Sequence, residues 1–329
     1  MEFKVTSFLG YSYDLTDGAQ DKNSFEISRF YLYWLGSLKD DWKFRATLDA
    51  GIRNADSADT DRKDFKVLLK HGYIAYTGFK DVEITFGQAD LPFVPFWEGK
   101  YGRRYQGPIF VDREGYITST DLGIGVKGNF FEKFMEYHLT FVNSEGWTTP
   151  EANKYKSFDG RITLNPFKEG FLKKLGMHTY WEIGNYDRAQ NRLRLIGGIT
   201  YEYGAFSVGG HYFWAKDPAD RMEKKQKVLT LIANGAEEQV ATGYTIYAVY
   251  NFKDLGVDNL SLLARWDWLD PSGRLAKDSH WRLIIGPEWK FTDNIRALLN
   301  FERVQYKSTA RGAGDKDSSL LRLDVELKF

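Results

Sequence analysis

The stretch Leu321-Arg322-Leu323-Asp324-Val325-Glu326-Leu327-Lys328-Phe329 alternates strictly between apolar and charged side chains. In an extended strand, successive side chains point to opposite faces, whereas a helix would spread these charges around its circumference. One face of this segment is therefore wholly apolar and the other wholly charged. The same period of two begins at Trp42 and continues to Arg53, and it recurs near Leu260 and near Trp281. The pattern predicts β-strands throughout the chain.

The period-two segments number sixteen, which is an even number as single-chain bacterial barrels require. We predict irregular registers in the second and fourth segments, where both faces carry aromatic residues and a β-bulge is expected. The predicted strands are Glu2 to Asp14, Asn23 to Ser37, Trp42 to Arg53, Lys66 to Thr77, Val82 to Gln88, Asp121 to Asn129, Met135 to Asn143, Ser157 to Asn165, Leu175 to Asn185, Arg192 to Tyr203, Phe206 to Lys216, Thr242 to Asn251, Leu260 to Trp268, Trp281 to Phe291, Ile295 to Val304 and Ser319 to Phe329.

Short turns alternate with long polar loops along this series, the arrangement typical of outer-membrane barrels. A soluble β-sandwich also has alternating strands, but its inward face would need Val or Leu where this chain has charges. Aromatic residues near the strand ends favour a membrane girdle. We therefore predict an all-β fold in which residues 1–329 form a single domain, a transmembrane antiparallel barrel of sixteen strands in the bacterial outer membrane. Lipid and lipopolysaccharide are then the expected surroundings.

Composition excludes several other classes of function. Lys plus Arg and Asp plus Glu both number 45, so the chain lacks the bulk positive charge of a nonspecific nucleic-acid binder, and there is no Cys. No stretch is long and apolar enough for a membrane-spanning helix. The five His are scattered and none adjoins a nucleophile motif. We expect no enzyme activity, no cofactor and no metal site.

A barrel of this strand number encloses a water-filled channel. The longest connection, Ala89 to Thr120, begins with the apolar run Pro92 to Trp97, and a loop of this length inside a compact protein is usually functional. We expect that run to pack on the inner wall, so that the loop constricts the bore. The predicted anion-binding residues are Lys100, Arg103, Arg104 and Arg113 on the loop, facing Arg45, Arg161, Arg192 and Arg194 across the bore. The alternative is a loop folded outward, with its arginines on lipopolysaccharide or on its own acids.

The first hundred residues resemble a known family. Phe25 to Arg29, Asp41 to Arg45, Tyr73 to Thr77, Ile84 to Gln88 and Pro92-Phe93 are similar, in order and spacing, to the phosphate-selective porin O and P family. The resemblance implies a trimeric sixteen-stranded outer-membrane porin with an arginine-lined entry and a third loop folded into the lumen. In this chain, acids interleave with the bases along most strands.

These observations predict a passive diffusion channel for small hydrophilic solutes with a mild preference for anions, phosphate among them. The other hypothesis is a specific uptake channel for a sugar or another neutral solute. Its binding residues would be aromatic side chains of the third loop, Trp97, Tyr101 and Tyr105, together with the loop from Asp217 to Ala241.

Overall fold

The computed structural model describes residues 1–18, 22–54, 63–151, 153–185, 191–218, 238–273, 278–307 and 317–329. Within these ranges, sixteen antiparallel strands form a closed barrel in which each strand pairs with its neighbours in sequence. The strands are β1 (Glu2–Asp14), β2 (Asn23–Lys39), β3 (Trp42–Asn54), β4 (Lys63–Tyr76), β5 (Val82–Asp90), β6 (Thr120–Phe130), β7 (Met135–Val142), β8 (Ser157–Leu164), β9 (Gly176–Asn185), β10 (Asn191–Tyr203), β11 (Phe206–Pro218), β12 (Glu238–Asn251), β13 (Leu260–Asp270), β14 (His280–Lys290), β15 (Ile295–Tyr306) and β16 (Ser318–Lys328).

The barrel closes between its first and last strands, with Leu9 opposite Val325 and Tyr11 opposite Leu323. Closure pairs the edges that an open sheet would leave exposed in the bilayer. The predicted strand count and antiparallel barrel are confirmed. The largest shift of a strand boundary is in β12, which begins at Glu238 and not at Thr242, because the β11–β12 ladder continues to the pair of Pro218 and Glu238. A diagonal ion pair between Lys216 and Glu238 lies on this extension.

The two faces of the wall have the distribution expected of a barrel in lipid. On β16, Leu321 and Leu323 are exposed on the outside, whereas Asp324 and Glu326 are buried on the inside. Outward aromatic pairs such as Trp266 and Trp281, stacked with ring centroids 4.7 Å apart, lie near the long-loop rim. A soluble protein would bury the leucines and expose the acids, so this inversion follows from lipid outside and water within.

The bulges predicted in the second and fourth strands are present. The β1–β2 register shifts between Phe8 and Leu9, leaving Ser28 as the extra residue, and the β3–β4 register shifts between Thr47 and Leu48 at Lys70. Each bulge redirects side chains on its strand. As a result Arg29, opposite Phe8, and Lys70 both lie against cavities of the bore.

The connection between β5 and β6, residues 91–119, is the third loop. It contains helix α1 (Val94–Tyr101), a short 3₁₀ helix (Arg104–Gln106) and the single turn α2 (Phe110–Arg113). Pro95 lies in the first turn of α1, where a missing N–H has no cost. Gly102 ends α1 in the left-handed conformation (φ 69°), which glycine adopts without strain.

Among the described residues, no helix has the length and apolar character needed to cross a membrane.

Candidate functional site

The third loop packs against the inner wall through its apolar side chains. The ring of Trp97 meets His211 edge-on at 4.6 Å and His178 at 5.8 Å between centroids, and Phe93 contacts Tyr180 at 5.2 Å. His178 and Tyr180 lie on inward positions of β9, His211 lies on an inward position of β11, and all five side chains are buried. The loop therefore lies inside the barrel, against one side of the wall.

Glycines on that side of the wall make room for the loop. A Cβ on Gly198 of β10 would lie 3.0 Å from the Trp97 ring, and one on Gly243 of β12 would lie 2.6 Å from the Phe110 ring. Only glycine allows so close an approach of a side chain to a strand backbone. The docking position of the loop, which we call its seat, thus depends on residues of the wall as well as on residues of the loop.

Three buried wall arginines hold the loop backbone. Arg161 donates from Nε to the carbonyl of Pro92 (2.9 Å), Arg194 to that of Tyr116 (3.1 Å) and Arg265 from Nη1 to that of Pro108 (3.2 Å). Arg194 and Arg265 also pair with Asp217 and Asp267, both at 2.7 Å. Arg161 and Arg194 were expected to face the loop across the bore. The structure places them beneath the loop instead, because the apolar run docks on their side of the wall.

The two other predicted wall arginines are also engaged with acids. Arg45 lies 3.1 Å from Asp90, and Arg192 lies 2.5 Å from Glu182. Arg192 is therefore near the loop's seat and not opposite it. Arg45 remains on the open side of the bore, where it lines a cavity between the loop and the first strands.

Histidine–carboxylate pairs lie near both ends of the loop. His71 Nε2 is 2.7 Å from Asp90, and His280 Nε2 is 3.3 Å from Glu114. Burial alone would raise the pKa of Glu114, but the hydrogen bond and charge of His280, together with the charges of Arg282 and Arg113, hold that pKa below its ordinary value.

The open side of the bore contains an arginine-rich cavity of about 310 Å³ between the loop and strands β2, β14, β15 and β16. Arg104 and Arg113 reach it from the loop. Its described lining residues include one acid, Glu302, which pairs with Arg282. The wall contributes Arg29, Arg282 and Arg322. We call this space the arginine cavity.

Of the five arginines in this cavity, Arg113 is the one whose positive charge is least compensated by its described contacts. It donates to Gln106 Oε1 over 3.5 Å, and its buried Nη1 has no hydrogen-bond partner among the described residues. Burial, together with the charges of Arg282 and Arg265, lowers the pKa of Arg113 to about 10. The side chain remains protonated at neutral pH, and a bound anion would relieve the repulsion.

A second cavity, of about 280 Å³, adjoins the arginine cavity, and Arg104 lines both. Here the charges are mixed: Arg45, Lys70, Arg104 and Lys328 oppose Asp90, Glu98 and Glu326. Arg104 pairs with Glu98 of the same loop, Nε to Oε1 2.5 Å. Burial raises the pKa of Glu98 above its ordinary value, against the opposing effect of Arg104. The Arg104–Glu98 pair thus stands at the junction of the two cavities.

A wider space of about 940 Å³ opens at the short-turn rim, below the end of α1. Lys100 and Arg103 of the loop line it, and Arg103 pairs with Glu288 (2.9 Å) while the Lys100 ammonium lies 5.5 Å over the Phe96 ring. The turns between strands add further cations to its lining, namely Lys173, Lys174 and Lys253, against the acids Glu202 and Asp258.

The three predicted aromatic residues have little surface for a solute. Trp97, Tyr101 and Tyr105 are only 1%, 1% and 2% exposed. Trp97 and Tyr101 pack against Tyr247, and the Tyr105 hydroxyl donates to Glu288. Their described contacts hold the loop in place. Residues 219–237 of the other loop proposed for sugar binding lie outside the described residues.

Of the eight predicted cations, the structure brings Arg104 and Arg113 together, and it adds Arg29, Arg282 and Arg322, which the predicted site lacked. Arg282 and Arg322 lie on the charged faces of alternating strands, so the missing information was which strands stand opposite the loop. The bulge at Ser28 reverses the phase of β2, so that simple alternation along that strand does not identify Arg29.

A closed barrel with an apolar exterior, water-accessible charged cavities and an internal loop defines a β-barrel membrane channel. Residues 3–96 match the family model of phosphate-selective porin O and P, which confirms the resemblance predicted from that part of the chain. The family match over residues 3–96 and the closed sixteen-stranded barrel together support a porin channel of the bacterial outer membrane.

Solved structures share the fold at low sequence identity. An anion-selective porin from Comamonas acidovorans is 13% identical with a TM-score of 0.69, over 100% of this chain and 99% of that one. Salmonella typhi OmpF, in complex with daunomycin, is 9% identical with a TM-score of 0.70, over 100% and 97%. OmpT of Vibrio cholerae is 10% identical with a TM-score of 0.66, over 100% and 97%. No match was found among the curated proteins.

Proposed function

We propose that this porin passes small hydrophilic anions preferentially, and that the arginine cavity is the place where they bind. The observation that carries the proposal is the convergence of five arginines and one acid on a space of about 310 Å³. Guanidinium groups remain charged and bind phosphate or carboxylate oxygens through paired hydrogen bonds. Such a site attracts anions and repels cations at the narrow part of the route.

The charge around the rest of the route supports the same direction. The second cavity, which Arg104 shares with the arginine cavity, is lined by four basic residues and three acids. The space at the short-turn rim is lined by six basic residues, including Lys100 and Arg296, and two acids. Most wall charges elsewhere are paired and add little net field. An anion therefore meets a net positive potential on both sides of the loop.

The proposed preference is mild because several arginines already have acidic partners. Arg322 pairs with Glu26 (2.9 Å) and Asp324 (3.0 Å), and Arg29 lies 3.8 Å from Asp49. An arriving anion competes with these carboxylates for the guanidinium donors. Phosphate, with two or more acceptor oxygens, competes better than chloride. Phosphate is therefore the proposed tighter ligand of the cavity.

The test is block of the chloride current by phosphate in planar bilayers. Wild-type channels should show a fall in chloride conductance as phosphate is added, and Arg113→Gln should need several-fold more phosphate for the same fall. Arg303→Gln is the matched control, because Arg303 is an exposed residue between the buried Glu302 and Val304 on the outer face of β15. Equal block of the wild type and Arg113→Gln would refute binding in this cavity.

We further propose that residues 1–329 work as a single barrel domain and that three barrels assemble as a homotrimer surrounded by lipid and lipopolysaccharide. The support is the family match, together with a solved structure of similar fold whose description names a trimer form, OmpT of Vibrio cholerae. Native mass spectrometry of the detergent-extracted protein tests this: a mass of three chains is expected, and a mass of one chain under mild extraction would refute it.

A further inference from the structure

The outer face of the barrel carries an apolar groove of about 710 Å³ that crosses strands β8 to β12. Its side walls are outward side chains such as Met177, Ile199 and Ile246, which are 46%, 52% and 57% exposed. No Lys, Arg, Asp or Glu is among its described lining residues. The groove is therefore a depression in the surface that faces the hydrocarbon of the bilayer.

Two outward glycines create the depression. Gly197 lies midway along β10, opposite Tyr212 of β11, and Gly210 lies opposite Ile199 on the same pair of strands. A Cβ on Gly197 would have no atom within 4 Å apart from those of its chain neighbours, so the space above this backbone is free of other protein atoms. Neighbouring strands carry bulky outward side chains, so the absence of side chains at the two glycines leaves a trough.

The inner face of the same wall also has glycines in place of residues with side chains. Gly198 directly follows Gly197, and Gly209 directly precedes Gly210, so both lie at inward positions. The ring of Trp97 packs closely against Gly198. His178 and His211 line the groove as well, while their rings contact Trp97 on the inside. At this point only backbone separates the groove from the seat of the third loop. We call this thin region, Gly197-Gly198 with Gly209-Gly210, the glycine window.

We propose that an acyl chain of a membrane lipid occupies the groove and, by filling the outer side of the glycine window, stabilises the docked third loop on its inner side. The occupant follows from the location and the chemistry. The groove opens from the middle of a lipid-facing strand, where the surrounding solvent is hydrocarbon, and an uncharged apolar lining complements a hydrocarbon chain. A void left empty would forfeit dispersion contacts along its whole lining. Lipid binding at this site does not depend on which solutes pass through the channel.

The first test is photo-crosslinking in vesicles that contain phosphatidylethanolamine with a diazirine in the middle of one acyl chain. We expect labelled peptides from β10 and β11 to exceed those from β13 and β14 at least fivefold. Gly197→Leu should abolish that excess, because the new side chain fills space that no protein atom occupies. Ala264→Leu, which places the same leucine side chain at a position on β13 outside the groove, should preserve it. Even labelling around the wild-type barrel would overturn the proposal.

The second test measures the loop through tryptic cleavage at Lys100, Arg103 and Arg104. Delipidated wild type in detergent should be cleaved several-fold faster than the same protein after phosphatidylethanolamine is added back. Gly197→Leu should resist cleavage with or without lipid, since leucine replaces the chain. Heat-modifiable migration on gels verifies that each variant is folded. Wild-type cleavage that is insensitive to lipid, or crosslinks from the groove to a second barrel in place of lipid, would overturn the proposal.

Discussion

Arg104 and Glu98, both on the third loop, form an ion pair with Nε and Oε1 2.5 Å apart at the junction of the two cavities beside that loop. The pair positions the guanidinium, but it also cancels part of the charge that an anion would meet. Anion preference should therefore depend on this acid as much as on the arginines.

Replacing the acid should strengthen the preference. In Glu98→Gln, Arg104 keeps a polar neighbour but loses its compensating charge. We therefore expect the anion-to-cation permeability ratio to rise roughly threefold. This change corresponds to about 0.7 kcal/mol, a size typical of the interaction between two charges in a water-like environment. The measurement is the reversal potential across a KCl gradient. Glu132→Gln, on an exposed turn where Glu132 pairs with Lys168, makes the same change in net charge far from the cavities and should leave the ratio unchanged. A lower ratio in Glu98→Gln would contradict this role.

Acidification should have the same effect as that substitution. Burial raises the pKa of Glu98, so its carboxylate takes up a proton at a higher pH than an exposed glutamate does. The neutral acid no longer compensates Arg104, and the anion preference should increase as the pH falls through the Glu98 pKa. Reversal potentials from pH 8 downward measure this. Glu98→Gln should lack that step, and a step of equal size in the variant would assign it to another group.

Removing the Trp97 ring should release the loop. Trp97 is 1% exposed among His178, His211 and Tyr247, and replacing such a residue by alanine typically costs on the order of 3–5 kcal/mol. In Trp97→Ala we expect a larger single-channel conductance with more frequent fluctuations, because the loop is less firmly held against the wall. The control is Trp289→Ala, which removes a ring of the same kind from the lipid face. Unchanged conductance in Trp97→Ala would mean that the loop does not limit the current.

Losing a wall arginine should weaken the anion preference. Arg29 reaches the arginine cavity because of the β2 bulge, and its neutralisation in Arg29→Gln leaves four arginines there. We expect the anion-to-cation permeability ratio to fall about twofold, measured by the reversal potential, while Arg303→Gln on the outer face leaves it unchanged. An unchanged ratio in Arg29→Gln would contradict a contribution of Arg29 to the anion preference.

The barrel could be predicted from the sequence because lipid and water impose opposite demands on alternate residues. The strand from Leu321 to Lys328 carries this signal without interruption, and closure with β1 follows from it. The docking side of the third loop was not predictable in this way. It depends on which wall strands place glycine at Gly198 and Gly243, and a single glycine in a strand does not reveal what approaches it.

The site was therefore predicted in its chemistry but only partly in its members. Arg104 and Arg113 were identified because they lie on the longest loop. Arg161 and Arg194 have the same residue type and the same alternation as Arg322, yet the first two lie beneath the loop and the third faces the cavity. Only the three-dimensional position of the loop separates these roles.

We propose that the net positive charge around the third loop makes this porin anion-selective. The most direct test is the zero-current potential of the purified wild-type protein in planar bilayers across a tenfold KCl gradient at neutral pH. We expect a potential of the sign set by chloride, and a larger one in Glu98→Gln. A potential of the sign set by potassium in the wild type would contradict it, because the interleaved acids would then outweigh the arginines along the route.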